Sequence, residues 1–379
     1  MFYIIKKYYK KIKKLRDFNK MIPQIEPWIG EEELKEVIEV VKSGWLTESL
    51  KTKKFEELFK KLTNANYVHA YSNGTVTLFS ALKILGIKEG DEVIVPNFTF
   101  IASPNSIALT GAKPVLVDID RKTFNISPEC IKSAITSKTK AIMPVHLYGT
   151  SADMDAIMKI AKENNLYVIE DAAQGIGVKF NGKHVGTFGE YGSFSLYGNK
   201  TVTTGEGGVL LTNDKTLSDS AYRFKNHGRL EKGVFIHETI GFNFSFTELQ
   251  AAVGIAQLSK LDKIIMKKDK IRKMYMEKLS DVKEIEFTYM DQRVTPVHWF
   301  TNILVNDIEK LIDYLKNKGV GTRRFFYPIN RQPCYNIKGN FPNTEYAYNH
   351  GLSLPSSVNL TESQIDEICN HIKAFYEIK

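Results

Sequence analysis

From about Phe55 onward, short apolar runs recur at helix-length intervals: DEVIVP (91–96), KPVLVDID (113–120), KAIMPV (140–145), LYVIED (166–171), GSFSL (192–196) and GGVLLT (207–212). A strand that is apolar throughout, rather than at every second position, has no face to give to water. Spaced by helical segments, such strands predict an α/β fold with a mostly parallel sheet covered on both faces. Ahead of them, GEEELKEVIEVVKSG (30–44) has helical periodicity in Leu34, Val37, Ile38 and Val41, with Gly44 placed as a C-cap. Behind them, Phe246 to about Leu279 reads as one long helix with Leu249, Val253 and Ala256 on its packed face, continuing into a Lys-rich stretch expected to be exposed. The last hundred residues read as a strand (299–305), a helix (307–318), a strand (321–327) and a final helix behind a Thr361/Gln364 capping box. The expected organisation is a basic extension (1–20), a large domain with its N-terminal segment (21–265) and a small α+β domain (266–379).

A chain of 379 residues, 43% hydrophobic, can bury the core such a fold needs. Its formal charge of +9 is unevenly spread. Residues 1–20 carry eight Lys and Arg against Asp17 alone, a net +7, which leaves +2 for the rest. Nucleic-acid binding needs charge spread over a folded face, so confinement to one segment argues against it. In that segment Ile5, Tyr8, Tyr9, Ile12 and Leu15 fall near one face of a helix, a pattern suited to peripheral contact with an anionic membrane; a solvated extension is the reading favoured. The three cysteines (Cys130, Cys334, Cys369) lie far apart, which points away from a disulfide framework or a metal site and towards a reducing, cytoplasmic setting. No apolar run approaches the roughly 18 residues of a membrane span. The run Met1–Ile5 is too short for a signal peptide and precedes the charges.

The segment GSFSLYGNKTVTTGEGG (192–208) sets one lysine, Lys200, between two buried strands. A lysine there is desolvated, which lowers its pKa and frees its amine to form a Schiff base. LYVIEDAAQ (166–174) ends a buried strand in Asp171, where open α/β sheets bind ligands. An imine-forming lysine and a carboxylate able to pair with a pyridinium nitrogen are what pyridoxal 5′-phosphate (PLP) requires of a protein. Gly74 and Thr75 open a helix with Leu78, Phe79, Leu82 and Leu85 on its apolar face, and a helix N-terminus offers amides to a phosphate. Gly186, Gly189 and Gly192 are regularly spaced, but no dinucleotide-binding GxGxxG follows a strand.

The ordered set SNGT (72–75), VPNFTFIAS (95–103), PVHLYG (144–149), EDAAQ (170–174), SFSLYGNKTVTTGEGG, GFNFSFTELQAAVG (241–254) and LPSS (354–357) resembles the DegT/StrS-type nucleotide-sugar aminotransferases. The likeness runs from about Ile22 to Phe375, and the GNKTVTTGEGG wording is most similar to the GDP-perosamine synthase branch. The resemblance implies a fold type I PLP-dependent transferase with a mixed, mostly parallel seven-stranded sheet and a small C-terminal α+β domain. It implies that Lys200 carries the cofactor and shuttles the proton, that Asp171 holds the ring nitrogen, and that Gln174 bonds the phenolic oxygen. Ser195 matches a phosphate-binding serine, and Asn243 matches an asparagine that reaches the phosphate from the other subunit of a homodimer with shared active sites. Phe100 occupies a ring-stacking position, although an aromatic beside a strand is also a common core residue.

The implied reaction moves an amino group from glutamate to the 4-keto carbon of a nucleotide-linked 4-keto-6-deoxyhexose, GDP-linked by the closest wording. UDP- or dTDP-linked sugars are the alternatives. A PLP-dependent sugar dehydratase is another, but those relatives replace the lysine with histidine. A purely binding function through the basic tail would leave the lysine–aspartate–phosphate set without a purpose. The chain also departs from the pattern. Ser245 stands where relatives carry an arginine, Arg324 where a proline is usual, and Asn330 where histidine is common. Arg229, Arg323 and Arg331 are candidates to meet a diphosphate or a carboxylate, and each reads equally well as a surface arginine.

Overall fold

The computed structural model describes residues 21–231 and 233–377; the basic extension lies outside them. Seven strands, β1 (Tyr67–Tyr71), β2 (Glu92–Pro96), β3 (Lys113–Val117), β4 (Thr139–Ile142), β5 (Tyr167–Asp171), β6 (Tyr191–Ser195) and β7 (Gly208–Thr212), form one sheet in the order β1-β7-β6-β5-β4-β2-β3. All run the same way except β7, which is antiparallel to both β1 and β6. The six apolar runs each supply a strand. The seventh, β1, alternates in burial from Tyr67 to Ala70 and carries His69, as suits an edge position. Successive residues feed opposite faces: Ile94, Val168, Val209 and Leu211 join one core cluster, while Val93, Val95, Ile169 and Leu210 join another. Burial of both faces is what the unbroken apolar runs demand.

The helices α1 (Glu31–Ser43), α2 (Leu50–Thr63), α3 (Gly74–Ile84), α4 (Ala102–Ala108), α5 (Pro128–Ala134), α6 (Met154–Asn164), α7 (Lys215–Lys225), α8 (Glu248–Ser259) and α9 (Leu261–Lys278) accompany this sheet. Three local expectations need correction. In α1, Val40 is buried and Val41 is exposed, because buried Glu33 is anchored to Lys260 at 2.6 Å and turns the 33/37/40 face inward. The long helix is two helices, α8 and α9, divided at Lys260, whose ammonium is held by Glu33 and by the Trp28 carbonyl. The Lys-rich stretch is not uniformly exposed, since Lys268 and Arg272 are buried. Helix periodicity is blind to this because an ammonium can be buried wherever carbonyls receive it.

Four further strands, β8 (Glu286–Phe287), β9 (Thr301–Leu304), β10 (Arg323–Arg324) and β11 (Gly351–Leu354), make an antiparallel sheet in the order β8-β9-β11-β10, and the two-residue strands Lys179–Phe180, Lys183–His184 and Val294–Thr295 make a small third sheet. It is accompanied by α10 (Ile308–Asn317), α11 (Pro342–His350) and α12 (Glu362–Glu377), the last behind the expected reciprocal Thr361–Gln364 bonds. The expected strand 321–327 pairs only over Arg323–Arg324, because Phe325–Tyr327 turn towards the large sheet. Helix α9 spans the expected division at 265: Leu261 and Ile265 pack with the large sheet, Ile271 and Tyr275 with the small one. Ile22 also belongs with the second group, bridging Val320. Where the two sheets meet, Tyr148 stacks on Phe325 at 4.6 Å and Asp118 accepts the amides of Asn343 and Thr344 that open α11.

Candidate active site

A cleft of about 740 Å³ opens at the carboxyl ends of β5 and β6, closed on its far side by residues 323–327. Strand β5 delivers two adjacent carboxylates to opposite sides, as strand alternation requires. Glu170 is fully buried and accepts from the amides of Gly186, Phe188 and Gly189 and from His146 Nε2. His146 Nδ1 accepts the Ala152 amide, so its proton sits on Nε2, facing Glu170. The spaced glycines serve this turn. A Cβ on Gly189 would stand 2.2 Å from the Val168 carbonyl oxygen.

Asp171, on the other side, lines the cleft at 4% exposure. Its Oδ2 accepts from Ser103 Oγ at 2.7 Å and its Oδ1 from the Ala173 amide at 3.1 Å. Burial pushes the carboxyl's pKa up, while these two donors and the charge of Lys200 pull it down. Lys200 is half-buried in the bend after β6, and burial lowers its pKa from the ordinary 10.5 to about 8. Asp171 opposes that shift and Arg323 adds to it. The Lys200 ammonium lies 4.4 Å from the ring centre of Trp299, whose indole N–H donates to the Asn199 carbonyl at 2.7 Å.

Gly74 and Thr75 head α3, which Asn73 caps through its Oδ1 and the Val76 amide. A Cβ on Gly74 would meet Ser195 Cβ at 3.0 Å, so glycine lets the helix start close against the end of β6. The result is a concave set of helix-terminal amides and a hydroxyl, suited to a phosphate. Gln174 lines the same cleft, its Oε1 accepting the Tyr148 amide at 2.7 Å. Phe100 lies there with 57% exposure, just after the bend beyond β2 rather than in the core.

The cleft thus gathers Lys200, Asp171, Gly74, Thr75, Phe100, Gln174, Ser195 and Arg323. It does not gather the other three expected residues. Asn243 is exposed, its Oδ1 bound by the Ser245 amide at 3.2 Å. Arg229 donates to the Val234 carbonyl, and Arg331 pairs with Glu345 at 2.9 Å. Asn330 is tied reciprocally to Asn97, by two bonds of 2.8 Å each, and lies off the cleft wall. Arg324 lines the cleft but pairs with Glu309 and donates to the Tyr348 carbonyl. Sequence reading missed Ser103, Asn199, Trp299, Phe326 and Tyr327. Ser103 stood inside a quoted motif, and its place in the first turn of the helix that follows β2 is the signal that could have flagged it.

Comparison with known proteins places this geometry. The sequence pattern of the DegT/DnrJ/EryC1/StrS aminotransferase family matches residues 27–373. GDP-perosamine synthase of Escherichia coli O157:H7 is 42% identical over 365 residues, covering 95% of this chain and 100% of the relative. GDP-perosamine synthase of Vibrio cholerae is 38% identical, covering 94% and 99%. Among solved structures, the aminotransferase TlmJ from Streptoalloteichus hindustanus superposes with a TM-score of 0.91 at 28% identity, over 94% of this chain and 99% of that one. A doubly covered, mostly parallel sheet with a lysine and a carboxylate at its carboxyl edge is the framework of a PLP-type transferase. The chain belongs to the DegT/DnrJ/EryC1/StrS aminotransferase family and is an aminotransferase.

Proposed function

We propose that this chain transfers an amino group from glutamate to the 4-keto carbon of a GDP-linked 4-keto-6-deoxyhexose, with PLP as cofactor. The observation that carries the nucleotide and sugar is the 42% identity with a GDP-perosamine synthase along that relative's whole length. The residues present suit PLP. A lysine with a depressed pKa faces a buried carboxylate, and the close approach of Gly74 to Ser195 makes an anion cradle one Cβ would fill. When bound, PLP supplies an electron sink for the carbanion formed as the amino group moves.

The chain's own residues do the rest. Lys200 Nζ anchors the cofactor and then, released, takes and returns the proton at the reacting carbon; a pKa near 8 suits both directions. Asp171 holds a ring nitrogen protonated, and the Ser103 hydroxyl keeps Asp171 ionised and fixed. Gly74, Thr75 and Ser195 bind the phosphate. Gln174, itself fixed by the Tyr148 amide, orients the ring, with Phe100 on its face. Arg323, exposed in the cleft wall, meets the donor carboxylate or the diphosphate. A second copy of the chain contributes Asn243. Its position off the cleft and the neighbouring exposed Phe235, Ile236 and Ile240 support a shared site in a homodimer.

The test is incubation with PLP, glutamate and a panel of GDP-, UDP- and dTDP-4-keto-6-deoxy sugars, with products read by mass. An amino sugar from the GDP substrate is expected. Product from UDP or dTDP sugars alone overturns the nucleotide assignment, and no product from any member overturns the reaction.

A further inference from the structure

Helix α9 buries a lysine that the reaction scheme does not use. Lys268 is 4% exposed, and among the described residues no carboxylate pairs with it. Its Nζ donates instead to the carbonyls of Trp299, at 2.9 Å, and Ser356, at 3.1 Å. These carbonyls lie just before β9 and just after its neighbour β11. An amine without a carboxylate partner is costly to bury, and burial lowers this one's pKa to about 7. With or without its extra proton it keeps the two N–H donors that the two carbonyls require.

Trp299, held by that bond, reaches the site twice. Its indole N–H donates to the Asn199 carbonyl at 2.7 Å, and its ring lies 4.4 Å from Lys200 Nζ. A continuous chain of contacts therefore runs from Lys268 Nζ to the Trp299 backbone, through the indole, to both the backbone before Lys200 and the amine itself. A small cavity of about 10 Å³ is lined by both lysines, Lys200 and Lys268, together with Glu26 and Trp28.

We infer that Lys268 is a positioning residue for Lys200: through the Trp299 carbonyl it fixes the indole, and the indole fixes the Asn199–Lys200 segment and the direction of the Lys200 amine. The inference rests on Lys200 being the reacting amine. Its test includes a measurement made without turnover, so the two ideas fail separately. The charges that shift Lys200 are those of Asp171 and Arg323, which the variants below leave in place, and Glu26 and Lys268 line the small cavity with it.

In the apoprotein, the rate at which Lys200 is modified by an amine-directed reagent is followed against pH, with the site resolved by peptide mass. Lys268→Met keeps an unbranched side chain one atom shorter and removes both donors, so the indole loosens, water reaches Lys200 and its apparent pKa rises from about 8 towards 10.5. In the holoenzyme, kcat falls by about ten- to a hundred-fold, the size expected when a reacting group is displaced by an ångström or less, with KM for glutamate nearly unchanged. Lys268→Arg restores most of both. Ser356→Ala is the control. It removes the hydroxyl that receives the Thr301 amide at 2.8 Å, loosening the same strand ends without touching the Trp299 tether, and leaves the Lys200 titration where it was. Trp299→Phe, which removes the indole N–H, shifts the titration in the same sense even if Lys268→Met does not fold. A folded Lys268→Met or Trp299→Phe with an unmoved Lys200 titration, or a Ser356→Ala that moves it equally, overturns the inference.

Discussion

Removing the Ser103 hydroxyl gives the clearest measure of how Asp171 is kept ionised. Burial raises the Asp171 pKa, and the Ser103 hydroxyl, at 2.7 Å from Oδ2, is the side-chain donor that opposes it. A hydrogen bond to a charged group is worth about 1.5–3 kcal/mol, and one pKa unit corresponds to about 1.4 kcal/mol. Ser103→Ala should therefore raise the Asp171 pKa further. Transfer needs the carboxylate, so the acid limb of the kcat/KM profile should move to higher pH. Stability carries the same sign. A carboxyl whose folded pKa lies above its unfolded value favours folding while neutral and opposes it as pH rises through the folded pKa. In the apoprotein, the deficit of Ser103→Ala in urea should thus be about 1.5–3 kcal/mol on the alkaline side and shrink as the carboxyl gains its proton. Ser103→Thr, which keeps the hydroxyl, should track the parent. If folded Ser103→Ala shows the parent's acid limb, or a deficit that does not change with pH, the assignment of the hydroxyl to the charge state of Asp171 is wrong.

Asp171→Asn should leave the chain folded and cripple transfer, because an amide cannot hold a ring nitrogen protonated; near-parental turnover would contradict the role. With its pKa near 8, the Lys200 amine in the apoprotein should react at half its maximal rate near that pH, well below exposed lysines, and Arg323→Gln should move the midpoint up by removing a neighbouring cation. Heterodimers of Lys200→Ala and Asn243→Ala chains should regain activity that neither homodimer has, since one of the two hybrid sites is intact; no rescue in verified heterodimers counts against a shared site. Deleting residues 1–20 should leave turnover unchanged, as no family motif lies there, and loss of activity in solution would make the segment part of the fold.

The architecture was legible because it rests on burial. Apolar runs such as EVIVP and GVLLT are buried at every position, and only a sheet covered on both faces accommodates them. Where the pattern misled, a buried charge had displaced the apolar rule. Glu33 sets the rotation of α1 by meeting Lys260, and Lys260 in turn marks the break between α8 and α9. Both residues read as surface charge in sequence, since helical spacing says which residues share a face but not which face a distant partner will claim. The same holds for β1, whose alternating burial is that of an edge strand and lacks the unbroken apolar run of its neighbours.

The candidate site divides along a similar line. Residues with local signals were found: Lys200 between two strands, Asp171 at a strand end, Gly74 and Thr75 opening a helix. The residues that hold them in place were not, because each acts across a long separation. Ser103 reaches Asp171 across 68 positions, Trp299 reaches Asn199 across 100, and Asn97 meets Asn330 across 233. That last pair bears on the departures from the family pattern. Asn330 stands where histidine is common, and its side chain is occupied by Asn97 and ties the 328–331 turn to the end of β2. Arg324, standing where a proline is usual, is likewise spent on Glu309 and the Tyr348 carbonyl. Both substitutions therefore fix the segment that carries Phe325, Phe326 and Tyr327 over the cleft, and they bear on the substrate through the placement of that wall. Arg323 is exposed in the same cleft wall, and the proposal that it meets an incoming anion rests on that exposure.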